Sequence, residues 1–175
     1  MTSPLSGPIR QIGYVVRDLD ATIAQWVAMG VGPFYVVRNH TQPVNYRGQP
    51  IEVTISIGFA NSGDMQVELI YQHDDTPSIF TEFLDSQGEG FHQFAWWVTD
   101  FDDAVAAAEA AGWPVVWSGG EETATRFAYV EPPAGSPATI YELMELTEGT
   151  EGMGAFFREA SRDWDGADPI RTIGA

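Results

Sequence analysis

Residues 11–31 read QIGYVVRDLDATIAQWVAMGV, and residues 93–113 read QFAWWVTDFDDAVAAAEAAGW. Both stretches begin with glutamine, place an Asp-x-Asp pair after an apolar run, and reach a glycine near their ends. The shared positions are Gln11/Gln93, Val16/Val98, Asp18/Asp100, Asp20/Asp102, Ala24/Ala106, Ala28/Ala110 and Gly30/Gly112. The chain therefore repeats one strand–helix unit, and we expect its two halves to fold alike.

The first half is predicted to be a β-α-β-β-β unit. The run Ile9–Val16 is rich in β-branched and aromatic residues, which favour a strand. Asp18 can cap the helix that follows, and Gly30 suits its C-terminal end. Further strands are predicted over Pro33–Val37, Val53–Phe59 and Met65–Tyr71. Residues 39–50 are polar and are predicted to be either a hairpin or a flexible loop.

The second half repeats this order, so the fold class is predicted to be α+β. Its strands are predicted over Phe91–Val98, Pro114–Trp117, Thr125–Val130 and Thr139–Leu146, and its helix over Asp102–Ala111. Two further helices are predicted, one between the halves over Pro77–Leu84 and one in the C-terminal segment over Met153–Ser161. Two such modules should form curved antiparallel sheets around a shared cavity. We expect one domain over residues 1–175: module one about 8–71, a linker 72–90, module two about 91–147, and a C-terminal helix and tail 148–175.

Four polar residues recur at equivalent strand positions. Val67-Glu68-Leu69-Ile70 late in the first half matches Tyr141-Glu142-Leu143-Met144 late in the second, and Gln11 matches Gln93. Because successive side chains of a strand point to opposite faces, both glutamines are predicted to face the cavity. The same alternation puts His92 on the face opposite to Gln93. Simple hydrogen bonding in a wet pocket is the plainest role for these four side chains.

The amino-acid composition of the chain disfavours several classes of binding partner. A net charge of −17 disfavours nucleic acids and anionic membranes. The absence of cysteine excludes disulfides and thiolate metal sites. The opening MTSPLSGPIR lacks the apolar segment of a signal peptide, and no apolar run approaches a membrane span. We therefore expect a cytoplasmic protein that binds a small molecule.

The doubled unit, the openings QIGYVVRDLD and HQFAWWVTDFD, the phrase GVGPFYVV and the two late glutamates carry a family resemblance. Over residues 8–147 the chain resembles the vicinal oxygen chelate superfamily, which includes glyoxalase I, methylmalonyl-CoA epimerase, extradiol dioxygenases and bleomycin-resistance proteins. It looks most like the glyoxalase-like or epimerase-like branch. Members of this superfamily are commonly dimers, so the resemblance implies a homodimer.

The resemblance also implies a divalent metal ion held by one residue from each of four strands. Carried onto this chain, the ligands are Gln11, Glu68, Gln93 and Glu142. Gln93 departs from the pattern, since histidine is usual there. An all-oxygen set suits Mg²⁺ or Mn²⁺ better than Zn²⁺. Without a metal, two facing carboxylates in an apolar barrel repel each other, and at least one pKa must rise. Both alternatives stay open.

The function that the resemblance implies is that of an isomerase or lyase acting alpha to a carbonyl of a small, fairly apolar substrate. Glu142 and Glu68 are the candidate catalytic residues. The candidate substrate-pocket residues are His92, Trp97, Trp117, Tyr35 and Phe59. A second hypothesis is a metal-free protein that sequesters an aromatic, cationic compound, as bleomycin-resistance proteins do. A third is a non-catalytic domain that only dimerises.

Overall fold

The computed structural model describes residues 5–120 and 125–174. The strands are β1 Gln11–Val15, β2 Phe34–Tyr46, β3 Gln49–Ser62, β4 Met65–Gln72, β5 Gly90–Val98, β6 Val115–Gly119, β7 Phe127–Val130, β8 Ile140–Glu145 and β9 Ile170–Thr172. The helices are α1 Leu19–Ala28, α2 Ile79–Gln87, α3 Phe101–Ala110 and α4 Glu148–Ser161. Within the described ranges, no helix is long and apolar enough to cross a bilayer.

The strands form one continuous sheet in the order β3-β4-β1-β5-β8-β7-β6-β2-β9. Because β2 also pairs with β3, the sheet curves round and closes on itself. The two halves meet where β1 pairs antiparallel with β5. Two pairings inside the halves are parallel, β1 with β4 and β5 with β8. The predicted α+β class and curved sheets are confirmed, and the two curves are parts of one closed sheet.

The polar segment 39–50 is a hairpin rather than a flexible loop. Strands β2 and β3 run on to Tyr46 and Gln49, which pair across a two-residue turn. Arg47 and Gly48 occupy that turn with φ of 47° and 80°, the left-handed conformation that tight hairpins require. The end of β2 also pairs with β6 of the second half, and this contact closes the sheet.

The two faces of the sheet have different partners. Helix α1 buries Leu19 and Ile23 against the outer face of the first half, and α3 buries Ala108 against that of the second. Ile12 and Tyr14 belong to the outer cluster of the first half, so the alternate residues of β1 face inward. The alternation predicted for β1 is therefore confirmed.

The two ends of the barrel interior are covered by different helices. Helix α2 places Phe80 and Phe83 in an apolar cluster with Val15 at the end of β1. Helix α4 places Phe157 in a ring stack against Phe59, at the end where β1 begins. The polar positions of β1 and β5 lie between these two covers, so the fold encloses them in the middle of the barrel.

Candidate active site

The structure brings the four predicted polar residues together on the inner face of the barrel. Their exposed fractions are 2% for Gln11, 6% for Glu68, 0% for Gln93 and 5% for Glu142. Burying four polar side chains together is costly unless they bond to one another or to a ligand. This cluster is therefore the strongest candidate for a functional site among the described residues.

The pairing of the strands explains why these residues meet. Gly13 of β1 lies beside Gln93 on one side and Glu68 on the other. Ala95 of β5 lies beside Gln11 and Glu142 in the same way. Each glutamate is thus separated from the glutamine of the opposite half by one small residue, and the long polar side chains can meet above it.

The side-chain amide of Gln93 is at the centre of the cluster. Its nitrogen Nε2 lies 3.1 Å from Oε2 of Glu68, 2.9 Å from Oε2 of Glu142 and 2.8 Å from the hydroxyl oxygen of Tyr129. The nitrogen carries two hydrogens, so three acceptors share two donors. One amide therefore links the two carboxylates and the phenol.

Gly13 creates the space for this amide. A Cβ atom at Gly13 would lie 2.6 Å from both Cγ and Cδ of Gln93, closer than side chains tolerate. The glycine is therefore needed for close packing, because Gln93 lies directly over the backbone of β1.

A β-bulge brings His92 into the same interior. The register between β1 and β5 pairs Gly13 with Gln93 but Tyr14 with Phe91, so His92 is the extra residue. His92 is fully buried, and its ring contacts Phe80 and Phe83 of α2. The prediction that His92 faces away from Gln93 is wrong, since the bulge interrupts the two-residue period on which it relied.

Burial raises the pKa values of both carboxyl groups. Burial raises the pKa of Glu142 to about 7, against a lowering contribution from the hydrogen bond of Gln93. Burial and then the charge of Glu142 raise the pKa of Glu68 well above its usual range. Like charges this close disfavour double ionisation. The pair therefore carries at least one proton near neutral pH.

Two further groups of the cluster are neutral. Burial lowers the pKa of His92 to about 4, although the hydrogen bond with Gln93 acts in the other direction. Burial, followed by the charges of Glu142 and Glu68, raises the pKa of Tyr129 well above its usual range. A neutral imidazole and a protonated phenol thus flank the carboxyl pair, and the phenol keeps a hydrogen that it can donate.

Residues 10–129 match a family model described as the Glyoxalase/Bleomycin resistance protein/Dioxygenase superfamily. The chain belongs to this superfamily. Among curated proteins, no sequence matches the chain significantly.

Solved structures support the same fold. Methylmalonyl-CoA epimerase from Mycobacterium tuberculosis is 19% identical with a TM-score of 0.56, over 85% of this chain and 96% of that one. A hypothetical protein from Bacillus halodurans C-125 is 17% identical with a TM-score of 0.57, over 81% and 95%. The Streptomyces coelicolor epimerase, in complex with 2-nitronate-propionyl-CoA, is 22% identical with a TM-score of 0.53, over 81% and 95%. At these identities the likeness concerns the fold.

The ligand set expected in this superfamily does not fit a metal ion in the arrangement that the structure shows. The amide of Gln93 directs its NH₂ group, which cannot coordinate a cation, at both carboxylates. Its oxygen points instead to the imidazole of His92. Over residues 5–120 and 125–174, no three His, Asp or Glu side chains are grouped so as to hold an ion. The chemistry that this arrangement supports is proton transfer by the two carboxyl groups.

Several polar residues of the interior were not predicted from the sequence. Tyr129 follows Phe127 by two residues on a strand, so alternation alone would have shown that both share a face. Gln66 pairs with Gln11, and Asn61 pairs with Gln66, so a row of three buried amides crosses β1, β4 and β3. The side-chain oxygens of Gln11 and Asn61 have no hydrogen-bond partner among the described residues. Two unsatisfied acceptors thus lie in this row of amides.

The predicted pocket residues lie in three places. Tyr35 and Phe59 lie under the ring of Phe157, at centroid distances of 5.1 and 5.6 Å. Trp97 lies under Gly154 of α4. Trp117 lies at the other end of the interior, with its ring against Phe80 of α2. His92, described above, lies beside Gln93. The aromatic residues therefore cover the polar cluster from both ends and leave it closed.

Proposed function

We propose that this protein is an isomerase that moves a proton alpha to a carbonyl of a small, apolar substrate. One observation carries the proposal: two buried carboxyl groups with raised pKa values bond to the same amide nitrogen of Gln93. A pair of buried titratable groups with perturbed pKa values is typical of acid–base sites. Membership of the superfamily supports this class of reaction.

The raised pKa values suggest a role for each glutamate. A general base works best when its pKa lies near the operating pH, as that of Glu142 does. The Glu142 carboxylate would take the alpha proton. The C–H bonding electrons would then form a carbon–carbon double bond, and the π electrons of the carbonyl group would move to its oxygen to give an enolate. Glu68, whose pKa is raised by burial and by the charge of Glu142, would return a proton to the carbon as the enolate collapses. Transfer of a proton from Glu142 back to Glu68 would restore the starting state. The net change is an isomerisation, which needs no oxidant or reductant.

The developing enolate oxygen needs hydrogen-bond donors. The hydroxyl of Tyr129 accepts from Gln93 and keeps its own hydrogen to donate. The amide hydrogens of Gln93 reach the same centre. These two groups are the proposed donors, because the Gln93 nitrogen bonds to both carboxyl groups and the buried Tyr129 hydroxyl bonds to that nitrogen.

The charges favour a substrate without phosphate groups. The chain carries a net charge of −17, and its eight basic residues are all arginines. Six of these arginines have a carboxylate partner within 3.9 Å. The phosphates of coenzyme A would therefore meet a repulsive field and few free cations. We propose a small ketone, acid or short thioester rather than a coenzyme A ester.

Access for the substrate is proposed to occur at helix α4. Phe157 of α4 is buried against Phe59, and Phe59 pairs directly with Glu68 across β3 and β4. Moving α4 away would open the shortest path to the carboxyl pair. The neighbouring side chains Met153 and Phe156 are half exposed, so the outer surface of α4 is free of other contacts over much of its area.

The deciding experiment is deuterium incorporation alpha to the carbonyl of candidate substrates in D₂O. Wild type should catalyse exchange, and Glu142→Gln and Glu68→Gln should each lose most of it while keeping the fold. Glu109→Gln, on the exposed face of α3, is the matched control and should behave as wild type. Exchange that persists undiminished in the Glu68→Gln/Glu142→Gln double variant would exclude both glutamates as the base.

The sequestering protein is the second candidate, and the aromatic cover at both ends of the cluster favours it. In that case the same glutamate variants would weaken the binding of an aromatic cation, and wild type would exchange no deuterium in any ligand it binds. Calorimetry with such a cation, run beside the exchange assay, separates the two functions. Homodimerisation and a cytoplasmic location stay predictions.

A further inference from the structure

The orientation of the Gln93 amide decides what the polar cluster can bind. Its NH₂ end faces the two carboxyl groups and its oxygen end faces His92. Reversing the amide would replace two donors by an oxygen at the centre, and the cluster would then present a third oxygen ligand. Rotation of the Gln93 side-chain amide would thus convert a site that presents N–H donors into a site that could bind a cation.

The chemistry of the His92 contact fixes the tautomer of that ring. An amide oxygen only accepts, so Nδ1 of His92 must donate the hydrogen. The other nitrogen, Nε2, is buried and has no hydrogen-bond partner among the described residues. A hydrogen there would be unsatisfied, so Nε2 is the bare acceptor. The observed arrangement therefore leaves one weak acceptor unsatisfied, in exchange for the hydrogen bond to Gln93.

We propose that His92 is a positioning residue that holds the amide of Gln93 with its NH₂ group toward Glu68 and Glu142. Because of this hydrogen bond, the centre of the cluster presents N–H donors in place of an oxygen ligand and does not bind a divalent cation. The inference rests on the proposed function only for the view that this carboxyl pair moves a proton.

Reversal of the amide is unfavourable while His92 is present. With the amide turned over, Nδ1 would have to accept and Nε2 would carry the hydrogen. That N–H would be buried in a ring that lies among Phe80, Phe83 and Tyr129, and Nε2 has no hydrogen-bond partner there. Buried N–H groups without partners are rarer and costlier than acceptors without partners. Both carboxyl groups would also lose their donor.

The equivalent glutamine of the first half lacks such a partner. Gln11 follows Arg10, whose guanidinium lies over the ring of Trp97 and bonds to Glu151 rather than entering the interior. The oxygen of Gln11 is buried and unpartnered. A hydrogen bond thus orients the amide oxygen of Gln93 but not that of Gln11, because only Gln93 has a bulged histidine beside it.

Mn²⁺ titration by calorimetry tests the proposal. His92→Leu removes the donor, so the amide can reverse, and Mn²⁺ should bind roughly tenfold or more tightly than to wild type, the scale of effects from residues that orient metal ligands. His92→Asn restores a donor near the place of Nδ1 and should keep the weak Mn²⁺ binding of wild type. His40→Leu, an exposed histidine, is the matched control and should change nothing.

The tautomer gives an independent readout in the wild-type protein. The ¹⁵N NMR spectrum of histidine-labelled protein should show Nδ1 of His92 protonated and Nε2 bare. A spectrum with Nε2 protonated would overturn the proposal even if His92→Leu failed to fold. Unchanged Mn²⁺ affinity in a folded His92→Leu would also overturn it. Neither measurement uses turnover, so failure of the deuterium exchange experiment is distinguishable from failure here.

Discussion

Gln11 and Gln93 occupy equivalent positions on the first strands of the two halves, yet their contacts differ. Gln93 bonds to both glutamates, to Tyr129 and to His92. Gln11, on the neighbouring strand β1, has a side-chain oxygen without a hydrogen-bond partner among the described residues. The strand register around them is symmetric, since Gly13 lies opposite Gln93 and Ala95 lies opposite Gln11.

The difference arises from one inserted residue and one missing methyl group. The bulge at His92 gives Gln93 a buried partner, whereas a regular strand leads into Gln11. Gly13 leaves room for a side chain to lie over its backbone, and Ala95 leaves less. A duplicated unit can thus keep the polar residues of both copies while only one of the two glutamines places its amide at the centre of the cluster. Four predictions test this comparison.

Removing the charge of Glu142 should have the largest effect on stability. Its pKa rises from an ordinary value of 4.5 to about 7 on folding, so the protonated form is favoured in the folded state. This contribution is complete below about pH 4.5 and is lost as the pH rises through about 7. At about pH 8, Glu142→Gln should therefore be more stable than wild type by about 3 kcal/mol, from 1.36 kcal/mol per pKa unit.

Urea unfolding at about pH 4 and about pH 8 measures this difference. Glu68→Gln should show the same sign, because burial and the charge of Glu142 raise the pKa of Glu68 as well. Glu109→Gln, whose side chain is exposed, corrects for the change in net charge. Equal stability of wild type and Glu142→Gln at about pH 8 would show that the carboxyl groups are solvated.

The space over Gly13 should matter more than the space over Ala95. Gly13→Ala places a methyl group against the Gln93 side chain, and overpacking of this kind costs about 1–3 kcal/mol. Ala95→Gly copies the first-half residue into the second half and should cost about 0.5–1 kcal/mol, from backbone entropy alone. Unfolding midpoints in urea give both values. If Gly13→Ala is as stable as wild type, Gln93 does not lie over this strand.

Imidazole in place of the central amide should create metal affinity. Gln93→His puts a nitrogen ligand beside two carboxylates, and Zn²⁺, Ni²⁺ and Co²⁺ favour imidazole. We expect Co²⁺ to bind about tenfold more tightly than to wild type, about 1.4 kcal/mol by calorimetry. Gln11→His should gain less, since Gln11 is not oriented toward the carboxyl groups. Unchanged affinity in Gln93→His would mean that this position does not face the site.

The smallest difference concerns the helix caps. The side chain of Asp18 accepts a hydrogen bond from the backbone nitrogen of Ala21 at 2.9 Å, whereas Asp100 makes no such bond at the start of α3. Asp18→Ala should cost about 1 kcal/mol. Asp100→Ala should stay within about 0.5 kcal/mol of wild type. Equal losses in thermal unfolding would show that both aspartates cap in solution.

Much of the fold was predictable because its signals are local. The strand β1, the helix α1 with its cap Asp18, and the four-strand pattern of each half follow from short-range periodicity and capping. The segment 39–50 was open between hairpin and loop, since its polar residues have no apolar alternation. Its strand conformation depends on pairing with β6, which is distant in sequence.

The candidate site was predictable in outline. The repeat aligned Gln11 with Gln93 and Glu68 with Glu142, and alternation placed them inward. Tyr129 was missed, although the alternation of β7 contained the signal. The covering of Phe59 by Phe157 was not predictable, because no local pattern of α4 shows which surface it packs against.

The sequence by itself therefore determined the repeated unit, the inward face of β1 and the four polar positions, since these depend on periods of two and 3.6 residues. Only the tertiary structure decided the closure of the sheet through β2 and β6, and the bulge that turns His92 inward. The reason is that a register shift is set by the neighbouring strand and its packing. No residue of β5 alone specifies whether Gln93 or His92 is the one that enters the interior, and in the folded barrel both do.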